Sequence, residues 1–303
     1  MEARTVPICG ATAAYYLTAE TYPDYRQRQR ELEEATARRM ALGTADRMAD
    51  GTVTLEMAVH VLYNDESENI SDEQIESQIS ILNQDYRGQN PRIPDVPKVW
   101  EGLVADAKIQ FALASEDPDG NPTTGITRTK TDRTEFGIYD TIKFEATGGR
   151  NAWPTDRYVN CWVGPLSGGL LGYAQFPGGP EPTDGIVINT TAFGTTGTAA
   201  PPFNLGATTT HEVGHFLNLS HIWGPTDDCT GGDGVEDTPN QTGPNYGRPT
   251  FPHVSCNNGP NGDMFCDFMD YVNDAHMFMF THQQVARMMA TLEGPRSGLG
   301  RRS

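Results

Sequence analysis

The sequence predicts an α+β fold in which helices cover a mixed sheet. A mostly apolar run rich in β-branched residues at 52–63 is typical of a buried strand. The pattern from Ser71 to Gln74 is that of a capping box, and apolar residues follow it at helical spacing, which predicts a long helix at about 71–86. Most of the strands that we predict precede the late helices, and this order indicates layers of strands and helices.

The remaining elements follow in chain order. Residues 23–48 are highly charged with a weak apolar stripe, so they predict a helix that docks loosely or forms a removable segment. Further short strands are predicted at 108–114, 157–163 and 185–189. The stretches 115–150 and 164–184 are rich in predicted loops. A second capping box, from Thr281 to Gln284, begins a C-terminal amphipathic helix.

Composition excludes several classes of partner. The chain has 303 residues with 22 Lys+Arg and 40 Asp+Glu, for a formal charge of −18. That charge argues against nucleic acid and against an anionic membrane surface, because both bind basic proteins. The sequence contains no run of 18 apolar residues, so it predicts no transmembrane helix. Carboxylates in Gly/Asp-rich loops are, in contrast, suited to calcium.

The five cysteines leave at least one thiol without an internal partner. The chain begins without the charged and apolar stretches of a secretory signal. On these grounds it is either a cytosolic protein or a secreted one whose signal is not in this chain.

One segment carries most of the chemistry: HEVGHFLNLSH at 211–221. His211 and His215 are four residues apart, so on a helix they share a face and bind one metal ion. Asn218 takes the left-handed conformation that ends the helix and returns His221 as a third ligand. Three imidazoles leave one zinc position open for water, as in catalytic sites. Zinc lowers the pKa of this water to about 7, and Glu212 is placed to take its proton.

This string resembles the metzincin signature H-E-x-x-H-x-x-G-x-x-H, with Asn218 in the glycine position. The chain is similar to the pappalysin family, including its ulilysin-like members, over about 53–292. The similar segments are AVHVLYN (58–64), NISDEQIESQISILNQDY (69–86), LGYAQFP (171–177), the zinc helix, GDGVEDTP (232–239), FMDY (268–271) and MFTHQQVARM (279–288). The resemblance implies a metzincin catalytic domain: a twisted, mostly parallel sheet with two long helices, a smaller irregular C-terminal subdomain, and a cleft between them.

The resemblance also implies roles for single residues. Met269 would form the Met-turn under the zinc, and Tyr271 would stabilise the oxyanion. Asp274 would lie at the floor of the pocket for the side chain after the scissile bond and favour Arg or Lys there. Strand residues 172–177 would lie at the rim of the cleft, where an extended substrate pairs with the edge strand.

Cys9, followed by Gly10, is similar to the Cys-Gly element of pappalysin-like pro-segments. Its thiolate would bind the zinc in a latent form and replace the catalytic water. On this reading residues 1–50 are a pro-segment that inhibits the catalytic domain at 51–303. The alternative is an N-terminal cysteine without a role.

For the acidic loop 227–238, the family resemblance implies a structural calcium site. It assigns Asp233 and Thr238 first and then Glu236 and Asp237. A solvated acidic loop is the alternative.

Of the two disulfides in the family pattern, Cys229 and Cys256 match one. The positions expected for the second, near 246–248 and at 276, hold no cysteine. Cys161 and Cys266 are either free buried thiols or a pair.

Three functions follow from these residues. The first is a secreted or extracellular zinc endopeptidase in zymogen form, whose partners are protein or peptide substrates and its own pro-segment. The second is a catalytically silent binding protein that keeps its metals for structure. The third is a calcium-dependent surface- or matrix-binding protein. The intact Glu212 favours the first, since a silent site does not need this carboxylate.

Overall fold

The computed structural model describes residues 8–42, 51–226 and 228–300. The α-helices of these residues are Ala11–Thr21 (α1), Tyr25–Ala41 (α2), Asp72–Tyr86 (α3), Ala207–Phe216 (α4) and His282–Leu292 (α5). The strands are Ile8–Cys9 (β1), Val53–Tyr63 (β2), Ile109–Leu113 (β3), Ile126–Lys130 (β4), Val159–Gly164 (β5), Leu170–Ala174 (β6), Ile186–Asn189 (β7), Tyr246–Gly247 (β8) and Tyr271–Val272 (β9). None of the helices described here is both long enough and apolar enough to cross a bilayer.

The main sheet is mixed and mostly parallel, which confirms the predicted class. Its strands lie in the order β1-β6-β7-β5-β2-β3, and β4 also pairs with β2. The pairs β2–β3, β2–β4, β2–β5 and β5–β7 are parallel, and β6 runs antiparallel to β7. The short β1 pairs with β6 in parallel register and so forms the edge of the sheet.

Strand β2 is central because both of its faces are covered. Leu55, Met57, Val59 and Val61 point into the main core, which also contains residues of α3, α4 and α5. Ala58 and Leu62 belong to two smaller clusters around aromatic rings. The period of two along a strand places these sets on opposite faces, which is why the run at 52–63 is apolar almost throughout.

The two capping boxes differ in outcome. At α5 the box is complete: Thr281 accepts from the backbone of Gln284, and the Gln284 side chain accepts from the backbone of Thr281. At α3, Ser71 accepts from the Gln74 N–H, but the Gln74 amide donates across the fold to the Phe193 carbonyl at 2.8 Å. The second half of the predicted box is therefore lost to a tertiary contact.

Several elements differ from the sequence prediction. Strand β4 lies within 115–150 and β6 within 164–184, both of which we expected to be loops. Helix α1 was not predicted, and the expected helix at 23–48 is α2, followed by residues 43–50 that lie outside the described ranges. Strand β4 (ITRTK) has no buried residue and so lacks the apolar pattern of a buried strand, whereas β6 (LLGYA) is a buried but short run that a glycine interrupts.

Candidate active site

Helix α4 carries the first part of the site and is buried along its whole length. It begins after Gly206, whose φ of 81° suits a glycine. Helix α3 holds it through two bonds: the Tyr86 hydroxyl donates to the Thr210 carbonyl at 3.0 Å, and the Thr210 hydroxyl donates to Asp85 at 2.6 Å. The side chains of the next residue, His211, and of His215 therefore have fixed positions.

The chain reverses directly after α4. Asn218 has a φ of 72°, the left-handed conformation expected from the sequence. The Leu219 N–H bonds to the Gly214 carbonyl at 2.9 Å and closes the turn. As a result His221 comes back to face the helix, with its Nε2 atom 3.0 Å from Nε2 of His215.

The three histidines and Cys9 lie close enough together to hold one metal ion. Their ligand atoms all lie within 4.8 Å of one another. Nδ1 of His211 lies 2.7 Å from the Phe268 carbonyl, and Nδ1 of His215 lies 2.7 Å from the Leu219 carbonyl. A carbonyl oxygen only accepts, so each Nδ1 carries the hydrogen and each Nε2 keeps a lone pair for a metal.

The chemistry of these side chains fits zinc. Nε2 of His211 is buried and has no hydrogen-bond partner within the described part of the chain. Burial lowers the pKa of His211 to about 4. Burial, with the neighbouring imidazoles, also lowers the pKa values of His215 and His221. The rings are therefore neutral near pH 7, as metal ligands must be.

Glu212 lies beside this cluster and is fully buried. Burial raises its pKa to about 8, against which the nearby Cys9 thiol has a smaller, lowering effect. Strand β6 passes close to it: a Cβ atom on Gly172 would come within 3.0 Å of the Glu212 Cγ. The strand can approach the carboxylate this closely because Gly172 has no side chain.

Cys9 reaches the site because its segment adds a strand to β6. Cys9 is opposite Gly172, and the Gly10 N–H bonds to the Gly172 carbonyl at 2.8 Å. Burial and the Glu212 carboxylate both raise the pKa of the Cys9 thiol. The N-terminal segment thus occupies the edge of the sheet at the site, the rim that we expected for 172–177.

Residues of the C-terminal half complete the site. The Tyr271 hydroxyl is 3.0 Å from Nε2 of His221 and 3.4 Å from the Cys9 carbonyl, to which it donates. Met269 is buried under α4, where a Cβ atom on Gly214 would be 2.5 Å from its sulfur. The packing of Met269 beneath the ligand helix therefore depends on glycine at 214.

Asp274 lines a small cavity of about 30 Å³ next to His211. Its Oδ2 accepts from the N–H groups of Leu205 at 2.8 Å and Ala207 at 3.3 Å. Burial raises its pKa to about 6. The residues that line this cavity are Cys9, Leu171, Phe203, Thr208, His211, Glu212, Asp270, Tyr271, Val272, Asp274 and Met277.

Two residues of the site were missed in the sequence. The Trp223 ring stacks on the His221 ring with centroids 4.4 Å apart. Asp267 accepts from the Met269 N–H at 2.8 Å and from Gln284 at 3.0 Å, so it connects the turn around Met269 to α5. The only available signals were a Trp two residues after the third histidine and an Asp two residues before Met269.

The acidic loop is partly buried. Thr238 donates to both oxygens of Asp233 at 2.9 Å, and burial raises the pKa of Asp233 to about 7. Asp237 accepts from the Thr281 hydroxyl at 2.8 Å and the Gln283 N–H at 2.9 Å, at the start of α5. Glu236 is exposed. Asp227, the first residue of the predicted loop, lies outside the described ranges.

The structure shows which cysteines are paired. Cys229 and Cys256 form the predicted disulfide, with an S–S distance of 2.01 Å. Cys161 and Cys266 are buried and free, so of the two possibilities left open by the sequence the unpaired one is correct.

Comparison with known sequences supports a common origin with metalloproteases. Residues 145–293 match the family described as Pregnancy-associated plasma protein-A. An extracellular metalloprotease of Arthroderma otae is 30% identical over 278 residues, which cover 89% of this chain and 88% of that protein. One from Pyricularia oryzae is 31% identical over 288 residues, 88% of this chain and 87% of the other.

Solved structures give the same result. A promirolysin mutant from Tannerella forsythia is 42% identical with a TM-score of 0.88, and the match covers 96% of each chain. Mature mirolysin from the same organism, in complex with a cleaved peptide, is 44% identical with a TM-score of 0.78. That match covers 84% of this chain and 100% of the other.

Proposed function

Because the chain belongs to the pappalysin family of metzincin metalloendopeptidases, we propose that it hydrolyses peptide bonds at the centre built by His211, His215 and His221, with Glu212 as the general base. The observation that carries this proposal is the convergence of three neutral imidazoles beside a buried carboxylate. A protein that kept its metal only for structure would have no use for Glu212 in this position. This argues against a catalytically silent binding protein.

In this mechanism, His211, His215 and His221 would hold a zinc ion, which would supply Lewis acidity to a water and to the scissile carbonyl. Glu212 takes a proton from the attacking water and later gives it to the leaving amine. Burial alone raises the pKa of Glu212 to about 8, and a zinc ion held beside it would favour the ionised form that takes the proton. The Tyr271 hydroxyl, which lies against His221, donates a hydrogen bond to the oxyanion.

The described chain is proposed to be the latent form. Cys9 belongs to the ligand set, and its strand covers the edge of β6 that a substrate would use. We assign residues 1–50 to the pro-segment and 51–303 to the catalytic domain. The match to promirolysin over 96% of each chain supports this assignment.

Asp274 is proposed to select Arg or Lys after the scissile bond. The supporting observation is its place in the cavity next to His211 and Glu212. A basic side chain in that cavity would form a charge-assisted hydrogen bond with the carboxylate and would also offset the cost of burying it.

Two further parts of the proposal concern the surroundings. We propose a structural calcium ion at the acidic loop, with Asp233 and Thr238 as first ligands and Glu236 and Asp237 as additional ones. It is supported by the burial of Asp233, whose charge a cation would compensate. We also propose that the protein is secreted, since relatives are named extracellular metalloproteases.

One experiment tests the central proposal. The chain is incubated with zinc and calcium, peptide cleavage is followed, and the new N-termini are sequenced. We expect cleavage before Arg or Lys that disappears with a zinc chelator and in Glu212→Ala, and faster self-cleavage in Cys9→Ala.

Cleavage that persists in Glu212→Ala would refute the assigned base, and an unchanged cleavage profile in Asp274→Ala would refute the pocket. Unaltered thermal stability on removal of calcium would refute the calcium site.

A further inference from the structure

Two buried arginines donate hydrogen bonds to backbone carbonyls at the end of α4 and in the turn that follows it. Nε of Arg296 donates to the Phe216 carbonyl at 2.7 Å, at the last residue of α4. Nε of Arg287, on α5, donates to the Asn218 carbonyl at 2.6 Å. Both side chains are almost completely buried, so each guanidinium needs a carboxylate partner.

The two arginines take their partners from different parts of the chain. Arg296 pairs with Asp184, which precedes β7 in the sheet half. Arg287 pairs through both terminal nitrogens with Glu33, which lies on α2 in the N-terminal segment. The side chain of Glu33 is 49% exposed and that of Arg287 is 5% exposed. The partner of the buried charge is thus at the surface of a segment that is separate from the catalytic half.

The position of Arg287 connects it to the metal site. Asn218, the residue to which it donates, is the left-handed residue between His215 and His221. The acidic loop also approaches: a Cβ atom on Gly234 would be 2.9 Å from Nη1 of Arg287 and 3.5 Å from the Glu33 carboxylate. Helix α2, helix α5 and the acidic loop therefore meet at one guanidinium.

We propose that Arg287 is a positioning residue for the turn that presents His221, and that Glu33 is a second attachment point of the N-terminal segment, separate from Cys9. Glu33 completes the bonds of Arg287 in the latent chain, so departure of the segment removes the counterion of a buried charge. This rests on the proposed function, in which residues 1–50 are removed.

The proposed attachment of the N-terminal segment at Glu33 is tested by the reactivity of the Cys9 thiol, which becomes accessible when the segment leaves the active site. The zinc-loaded chain carries Glu212→Ala to prevent self-cleavage, and the rate of reaction of Cys9 with a disulfide reagent is measured. Glu33→Gln removes the charge and keeps the shape, so we expect a rate about five- to thirtyfold higher, as for loss of one charge-assisted pair. Glu34→Gln, at an exposed position on the same helix, is the matched control and should leave the rate unchanged.

The outcomes separate this inference from the proposed function. Equal rates in Glu33→Gln and Glu34→Gln would overturn the attachment point, whatever the enzyme does. Cys9→Ala gives the background from Cys161 and Cys266, which are buried. If the enzyme freed of residues 1–50 cleaves no peptide, the proposed function fails, yet the thiol rates still decide the role of Glu33.

The positioning role is tested in the processed enzyme by zinc release. We expect Arg287→Met to raise the zinc dissociation rate about tenfold, since groups behind metal ligands commonly affect affinity by 10–100-fold. Arg287→Lys keeps a donor for the Asn218 carbonyl, so its zinc dissociation rate should be close to that of the unvaried enzyme. An unchanged rate of zinc dissociation in Arg287→Met would overturn the assignment. A rate in Arg287→Lys as high as that in Arg287→Met would also overturn it. If Arg287→Met does not fold, the comparison of Arg287→Lys with the unvaried enzyme decides.

Discussion

The sheet half of the chain (51–216) and its C-terminal half (217–300) hold their parts of the active site in different ways. In the sheet half, parallel ladders and an apolar core fix α4, which carries His211, Glu212 and His215. In the C-terminal half, the described strands are only two residues long each. There, one disulfide and hydrogen bonds to buried aspartates fix the chain.

Asp270 shows how the C-terminal half compensates for missing ladders. It accepts from the N–H groups of Asn245 and Tyr271 and from the side chains of Gln241 and Asn245, all within 3.0 Å. Such a network sets the position of Tyr271 as firmly as a strand would, because every bond is short and shielded from water. The disulfide also makes this half sensitive to reduction, which the sheet half, whose Cys161 is free, should resist.

The largest expected effect compares one catalytic group from each half. Glu212→Ala should lower kcat about 10³–10⁴-fold, since in the proposed mechanism Glu212 moves a proton in both steps. Tyr271→Phe should lower it about 10²-fold, the value of a single oxyanion donor. Steady-state kinetics on a processed enzyme with verified zinc content measures both. A Tyr271→Phe loss equal to that of Glu212→Ala would mean that the C-terminal half supplies more than one hydrogen bond.

The next effect is the loss of the disulfide. Cys229 and Cys256 are 27 residues apart, so replacing both with serine should lower the free energy of unfolding by about 3–4 kcal/mol. Hydrogen exchange should show the loss in the C-terminal half and leave protection in β2 and β5 unchanged. Cys161→Ser is the control for a buried thiol of the sheet half. Equal loss of protection in both halves would show that they unfold as one unit.

A smaller effect should follow pH. Burial raises the pKa of Asp270 and Asp274 to about 6 and of Asp233 to about 7, above the unfolded value of about 3.9. A raised carboxyl pKa stabilises the fold below the unfolded pKa, and this stability is lost as pH rises through 6–7. Without bound metals, unfolding should require about 5 kcal/mol less at pH 8 than at pH 5 if the three shifts act independently. In the sheet half Asp85 has a similar shift, so Asp270→Asn should reduce the slope without abolishing it. A free energy of unfolding that stays constant or rises over this range would contradict the assignment.

The smallest effect concerns the joint between the halves. Asn218→Ala should lower the free energy of unfolding by about 1 kcal/mol. In the left-handed conformation the Cβ atom is crowded, and alanine lacks the polar group with which asparagine offsets this cost. Asn218→Gly should be nearly neutral. Thermal unfolding of the two variants, compared at equal zinc content, checks this. Equal melting temperatures for Ala and Gly would mean that the turn is not strained.

Local patterns were enough to predict much of the fold. Helices α3 and α5 were predicted from their capping residues and apolar spacing, and β2 from its apolar run. Strands β4 and β6 were not, because they are short and their apolar residues do not alternate regularly. Strand β4 forms by pairing with β2, far earlier in the chain, and β6 forms by pairing with the N-terminal β1 and the following β7.

The sequence by itself determined the three histidines of the proposed metal site, since the spacing of His211, His215 and His221 around Asn218 is a local property of one helix and one turn. Only the tertiary structure decided that Cys9 joins these ligands through the edge of β6, that Trp223 stacks on His221, and that Glu33 pairs with Arg287. The physical reason is the range of the interactions. Helix spacing and turn conformation act over a few residues, whereas a buried charge or an open strand edge takes whichever partner the folded chain brings to it.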